Sequence, residues 1–423
     1  MHLRTALSAA CLLALPHSIL AQKICNATII NLKGTTQDAQ DVTTPGMDIT
    51  IQGNKIESIE AAQSSCGQDT NNIDATDMFC MPGLVESHAH VCFSDKAGDC
   101  VKSAPSVLTA LLANGVTTVQ DLGSNCKAVE QSKKQVRKLG VPPPRVHTTC
   151  EMFDGAGTIY VDEKTGEKSA PITLLTDPLK AESELQKVLA RGAYRAKVHL
   201  GMDEPSFAAL SKACKRRKML IGGHVPTNML AKRALELGMN YFEHMSGINT
   251  TEVIQKIGNE KMAVTCTLIQ GPSPAALKLC GDLKDAGANI LTGTDAPAGE
   301  GLCPDGATHK ELGLLVKAGF TTVEALQAAT TNAYNALGLG SEFGIEPGMT
   351  ADMLLLKANP VDDISNMNSK NIAFVVMDGK VLDKKKLQKL RDIADVQNTL
   401  PFACGGDPKK ASLQSRATCC DGH

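Results

Sequence analysis

From residue 81 to the early 290s the chain alternates between two kinds of apolar pattern. Short β-rich runs occur at Met81 to Val85, Val116 to Gln120, Arg145 to Cys150, Tyr194 to Leu200, Met219 to Gly223, Asn240 to Glu243, Met262 to Leu268 and Asn289 to Thr292. The segments between them carry apolar residues at helical spacing, such as Phe207, Leu210 and Cys214 before one run and Met229, Leu230, Ala234 and Leu237 before the next. Strands alternating with helices require parallel crossovers, and eight repeats over roughly 250 residues favour a closed barrel over an open doubly wound sheet. No G-x-G-x-x-G follows any of these runs, so the dinucleotide-binding variant of that pattern is absent.

Both flanks change period. Ala27 to Leu32, Met47 to Ile51 and Lys55 to Ile59 read as short strands, and so do Asp352 to Lys357 and Ile372 to Met377, the latter followed by the turn Asp378-Gly379 and Lys380 to Leu382. The expected architecture is α/β: a (β/α)8 TIM barrel with a small composite β-sandwich domain built from both chain ends. Its expected parts are a leader at 1–21, the N-terminal part of the sandwich at 23–80 and the barrel at 81–343. The C-terminal part of the sandwich follows at 344–390, and a cysteine-containing surface tail at 391–423.

Composition narrows this without redirecting it. The 423 residues are 43% apolar and 21% charged with a formal charge of -2, which gives no electrostatic reason to expect a nucleic acid or a membrane surface as partner. Beyond residue 22 no apolar run approaches the roughly 20 residues that span a bilayer. The first residues differ: Arg4, the apolar run Ala6 to Pro16 and small Ala21 have the layout of a cleaved signal peptide, which predicts a secreted, extracellular protein. Cleavage removes Cys11 and leaves 14 of the 15 cysteines, an even number suited to an oxidising compartment. Cys404, Cys419 and Cys420 lie in the polar tail where disulfides could staple the chain, whereas Cys214, Cys266 and Cys280 fall in helix or strand patterns suited to core thiols. Secretion would make the sequons at Asn26 and Asn249 glycosylation candidates.

Active sites of such barrels lie at the C-terminal ends of the strands. There the first run ends in His88-Ala89-His90, the fourth carries Lys197, the fifth ends in His224, the sixth in His244 and the eighth leads to Asp295. Side chains two apart on an extended chain point the same way, so His88 and His90 can reach one cation. Imidazole and carboxylate ligands suit Zn²⁺ better than Ca²⁺ or Mg²⁺. Lys197 has two readings from chemistry alone: a cation paired with an acid, or a deprotonated amine that reacts with CO2 to become a bridging anion.

The segments Pro82 to His90, Gly115 to Val119, Gly223-His224-Val225-Pro226, Glu243-His244 and Thr292-Gly293-Thr294-Asp295 resemble motifs of the amidohydrolase superfamily. Glu311-Leu312, Ala328-Ala329-Thr330, Asn332-Ala333 and Pro347 to Asp352 are similar to its imidazolonepropionase-related branch, which includes ochratoxinase-like and Xaa-Pro dipeptidase-like enzymes. That resemblance implies two divalent metals, with His88, His90 and Asp295 on one, His224 and His244 on the other, and a CO2-derived carbamate on Lys197 between them. The metals would share a hydroxide and polarise the scissile carbonyl, and Asp295 would accept the proton and pass it to the leaving amine.

Three further residues are substrate-binding candidates, each with a structural alternative. His199 shares the face of Lys197 and either contacts substrate, replaces a ligand or fills the core; His309 either touches substrate or starts a helix; Asp121 is either a site carboxylate or a loop anchor. Many relatives in the branch carry a Gly-His-Gly-like segment after the third strand, and here the stretch Met152 to Gly157 has no histidine, which puts substrate recognition there in doubt. The expected activity is hydrolysis of an amide or peptide-type C–N bond in a small amide, of the N-acyl amino acid or dipeptide class, with self-association left open. Hydrolysis of a cyclic amide or lactone is the enzymatic alternative, and a non-catalytic metal-binding protein the alternative of another class.

Overall fold

The computed structural model describes residues 21–34, 41–63, 66, 71–94, 97–298 and 302–394. The expected leader falls almost wholly outside these residues, as do Cys404, Cys419 and Cys420 of the tail.

All eight expected internal strands are present, most of them shorter than the apolar runs that announced them. Leu84–Ala89, Val116–Asp121 and Arg145–Thr148 form a three-stranded parallel sheet. Ala196–Val198, Ile221–Gly223, Tyr241–Glu243, Ala263–Thr265 and Asn289–Leu291 run in that order in a seven-stranded parallel sheet, which Met152–Asp154 and Ile172–Leu174 extend on the Ala196 side. Backbone hydrogen bonds connect the sheets on both sides. Ser87 N donates to Thr292 O at 2.8 Å and His90 N to Ala296 O at 3.0 Å, while Tyr194 N donates to Thr148 O at 3.2 Å.

The intervening helices follow from local chemistry. Glu204–Arg216 starts where the Asp203 side chain accepts from Ser206 N, and it buries Phe207, Leu210 and Cys214, the stripe expected from spacing. Thr322–Ala328 begins with a reciprocal capping box between Thr321 and Glu324. Leu230 departs from the pattern: it caps Ala231–Glu236 from outside the helix, and its side chain is 73% exposed.

The other sheet contains strands from both ends of the sequence. Phe79–Pro82 pairs in parallel with Gln22–Ile30 and antiparallel with Met353–Leu356, which in turn pairs with Ile372–Met377. A separate core that includes Ile24, Ile49, Ile56, Leu355 and Val376 packs on it. The C-terminal helix Lys384–Ala394 crosses the boundary expected at residue 390 and buries Leu387, Leu390 and Ala394.

Disulfides join Cys25 to Cys66, Cys126 to Cys150 and Cys266 to Cys280, and Cys92 and Cys303 are also disulfide-bonded. The reading of Cys266 and Cys280 as core thiols is therefore corrected, because the strand end and the following helix bring two residues 14 apart into bonding range. Cys214 remains a buried free thiol, pushed up to about 12 by burial. Asn26 and Asn249 are exposed.

Candidate metal centre

Three short loops bring the ligand candidates together. His88 lies on the strand Leu84–Ala89 and His90 just past it, while Asp295 arrives four residues beyond Asn289–Leu291 and donates its N–H to His88 O at 2.6 Å. Gly293 permits this approach: a Cβ there would lie 2.6 Å from His88 N and 2.7 Å from His88 Cβ. Ligand atoms of His88, His90 and Asp295 all fall within 4.8 Å of one another, and the three residues are buried. Asp295 Oδ1 lies 3.1 Å from His88 Nε2 and 2.8 Å from His90 Nε2, and Oδ2 lies 3.8 Å from His244 Nε2.

The imidazoles form an arc. Ring centroids are 5.5 Å apart for His90 and His88, 4.7 Å for His88 and His244, 4.5 Å for His244 and His224, and 4.6 Å for His224 and His199. Lys197 is fully buried beside this arc, close enough for its charge to oppose protonation of His88, His224 and His244. Gly223 makes room for its stem, since a Cβ there would sit 2.7 Å from Lys197 Cδ and 2.5 Å from Val198 O.

Each Nδ1 partner bears on what the opposite nitrogen can do. His90 Nδ1 donates to Gly123 O at 2.9 Å. Thr267 Oγ1 gives its proton to Cys266 O at 2.8 Å and so accepts from His244 Nδ1 at 2.7 Å. Glu243 Oε2 lies 2.8 Å from His88 Nδ1, and Glu243 Oε1 accepts from Gln120 Nε2 at 3.2 Å. For His90 and His244 the acceptor on Nδ1 leaves Nε2 with the lone pair, the usual outer arrangement around metal-ligating histidines. Burial, then the charge of Lys197, holds His224 well below the usual histidine range; burial, then His88, does the same for His244. Burial alone would raise Asp295, but the charge of His88 and the contacts with His88 and His90 hold it well below the usual carboxylate range.

The side chains present suit divalent cations. His88 Nε2, His244 Nε2, His224 Nδ1 and Asp295 Oδ1 are buried polar atoms without a hydrogen-bond partner, a costly state that coordination would relieve. The donor set is imidazole nitrogens and a carboxylate, the types that ligate a cation such as Zn²⁺. His244 and Asp295 also have φ of 65° and 63°, a left-handed backbone uncommon for such residues and typical of over-determined functional positions.

The other candidates separate. His199 joins the arc, with Nδ1 3.0 Å from Asp154 Oδ2. Asp121 is a loop anchor: it accepts from Val91 N at 2.8 Å and from the hydroxyls of Ser124 and Thr148. His309 sits in the helix Ala307–Lys317 and bonds Asn114 O at 2.8 Å; burial takes it down to about 4. Sequence reasoning gave no role to Glu243, Thr267, Asp154 or Gln270, whose amide donates to Asp295 Oδ2. Only Glu243 carried a signal, through its place beside His244.

Residues 79–382 match the amidohydrolase family. The imidazolonepropionase of Symbiobacterium thermophilum is 25% identical over 375 residues, covering 76% of this chain and 86% of that protein. A solved Xaa-Pro dipeptidase with methionine in its active site superposes with a TM-score of 0.73 at 19% identity, covering 86% of this chain and 100% of its own. The ochratoxinase of A. niger gives 0.67 at 19% identity, covering 86% and 95%. The two structures speak for the fold alone, whereas the family match spans most of the sequence. The chain belongs to the amidohydrolase family and is a hydrolase of carbon–nitrogen bonds.

Proposed function

We propose that the protein is a secreted, binuclear metal-dependent amidohydrolase that cleaves an amide or peptide-type bond in a small substrate of the N-acyl amino acid or dipeptide class. The reading includes closure of the two parallel sheets into a (β/α)8 barrel, which the hydrogen bonds on both sides support, and a composite β domain from the chain ends. The observation that carries it is the convergence of His88, His90, Asp295, His224, His244 and Lys197 in one buried cluster.

In this reading His88, His90 and Asp295 would hold one cation and His224 and His244 the other, with Lys197, carboxylated by CO2, as a further anionic ligand. The cations, Zn²⁺ by donor type, supply an activated water and a Lewis acid for the carbonyl when bound. The chain does the rest. Glu243, Thr267 and the Gly123 carbonyl fix three imidazoles, and the Gln270 amide fixes Asp295 Oδ2 between the two halves of the arc. Asp295 would accept a proton from the attacking water as its oxygen bonds the carbonyl carbon and would return it to the leaving nitrogen, so that the C–N bond breaks to a neutral amine and a carboxylic acid. The disulfides support a secreted location.

The test is turnover by zinc-loaded protein on a matched panel of N-acyl amino acids, dipeptides, cyclic amides and lactones, with metal content measured in parallel. Two metals per chain and hydrolysis of linear amides are expected. Turnover restricted to cyclic substrates would move the assignment to the alternative class, and two bound metals with no turnover across the panel would refute the activity.

A further inference from the structure

The imidazole arc is open between His90 and His199, and two carbocyclic rings span the gap. Phe93 lies edge-on to His90 with centroids 4.7 Å apart, Tyr160 lies 5.5 Å from Phe93, and Tyr160 lies 4.9 Å from His199. Seven rings thus form a closed circuit, five polar and two largely apolar. In a chain with 9 Phe, 4 Tyr and no Trp, placing two of them here leaves one sector of the circuit chemically unlike the rest.

Both rings are held by what packs against them. Met152, Ala170 and Ile172 form a buried cluster of their own, against which Phe93 and Tyr160 pack. The segment carrying Phe93 is pinned through Val91 N to Asp121 Oδ1 at 2.8 Å and Cys92 N to Ser124 Oγ at 2.9 Å. The hairpin carrying Tyr160 is closed by Ser169 N to Tyr160 O at 2.9 Å. Its root is fused to the loop bearing His199: Asp154 Oδ1 accepts from Gly155 N at 2.9 Å and Gly201 N at 2.8 Å, and Asp154 Oδ2 meets His199. A Cβ on Gly155 would lie 2.3 Å from Gly201 O, so only glycine allows the two loops this close. One carboxylate therefore sets the His199 ring and the approach of the Tyr160 hairpin together.

We propose that Phe93 and Tyr160 are specificity-determining residues, a wall that receives an apolar, planar group next to the scissile bond. This rests on the metal-centre reading: a carbonyl held at the imidazole arc leaves its neighbouring substituent facing the sector between His90 and His199. Offset or edge contacts with two aromatic rings favour a flat apolar group over a charged or small one.

The test compares binding of benzylphosphonate and methylphosphonate to zinc-loaded protein by calorimetry, because the shared headgroup addresses the metals and only the arm addresses the wall. The ratio of the two Kd values is read. Wild type should favour the benzyl compound about tenfold or more, and Phe93→Ala and Tyr160→Ala should each bring the ratio toward one with metal content retained. Tyr160→Phe should keep it. A wild-type ratio near one, an unchanged ratio in both alanine variants, or a Tyr160→Phe variant as impaired as Tyr160→Ala would overturn the wall. If methylphosphonate shows no metal-dependent binding, the metal-centre reading fails first and the wall falls with it. If an alanine variant fails to hold zinc, Phe93→Leu, which keeps apolar volume without a ring, takes its place and should lower the ratio.

Discussion

Gly223→Ala should damage the metal centre more than its size suggests. Gly223 has φ of 122°, where a side chain is strained whatever the space, at a cost of about 1–3 kcal/mol. The added Cβ would also meet Val198 O at 2.5 Å, Val198 N at 3.0 Å and Lys197 Cδ at 2.7 Å. The first two atoms belong to the strand paired with Gly223, so they yield only by opening that pair, and overpacking of this kind adds about 1–3 kcal/mol. The lysine stem is the part free to move, and its movement carries Nζ away from the histidines. Urea titration should show a loss of roughly 2–6 kcal/mol, and elemental analysis should show fewer than two metals per folded chain. Gly140→Ala is the control: φ is 82° with nothing within 4 Å of the new Cβ, so backbone strain of about 1–2 kcal/mol is the whole effect and metal content is untouched. A Gly223→Ala protein with wild-type stability and both metals would refute the reasoning, as would equal metal loss in the control.

Lys197→Ala should lose metal and activity, with partial recovery in a short carboxylic acid, and Lys197→Arg should not recover because a guanidinium cannot react with CO2; an arginine variant with two metals and near wild-type turnover would disprove the bridge. Glu243→Gln should weaken zinc binding about 10–100-fold in chelator competition, since the carboxylate orients His88 through Nδ1; unchanged affinity would sink that role. His309 falls from 6.5 to about 4 on burial, so the folded state binds fewer protons than the unfolded one. Its share of stability is complete above 6.5 and is lost as pH drops toward 4, about 3 kcal/mol in all. His309→Gln should remove that slope from urea midpoints between pH 8 and 4, and parallel curves for the two proteins would contradict it.

The sequence alone determined what is local or periodic. Eight apolar runs marked eight strands because burial on both faces writes itself as short β-rich segments, and the stripe Phe207, Leu210, Cys214 marked a helix because a helix buries one face. The ligand candidates were legible because the histidines and Asp295 stand at or just past the ends of such runs and Lys197 lies within one, and the two histidines at 88 and 90 share a face by simple alternation. What tertiary structure decided lies where chain-distant groups meet or where the backbone leaves its period. His244 and Asp295 turn through positive φ, so alternation says nothing about where their side chains, or that of Glu243, point. Leu230 reads as part of a buried stripe until the cap places it outside the helix. His309 and Asp121 stand at the starts or ends of elements as the ligand candidates do, yet His309 bonds Asn114 across 195 positions and Asp121 bonds Val91 across 30, contacts that no local pattern encodes. Asp154, in a stretch notable in the sequence only for its missing histidine, gains its purpose from Gly201 and His199 more than forty residues away. Spacing fixes which face a residue occupies on its own element; which neighbour that face meets is set by packing the elements together.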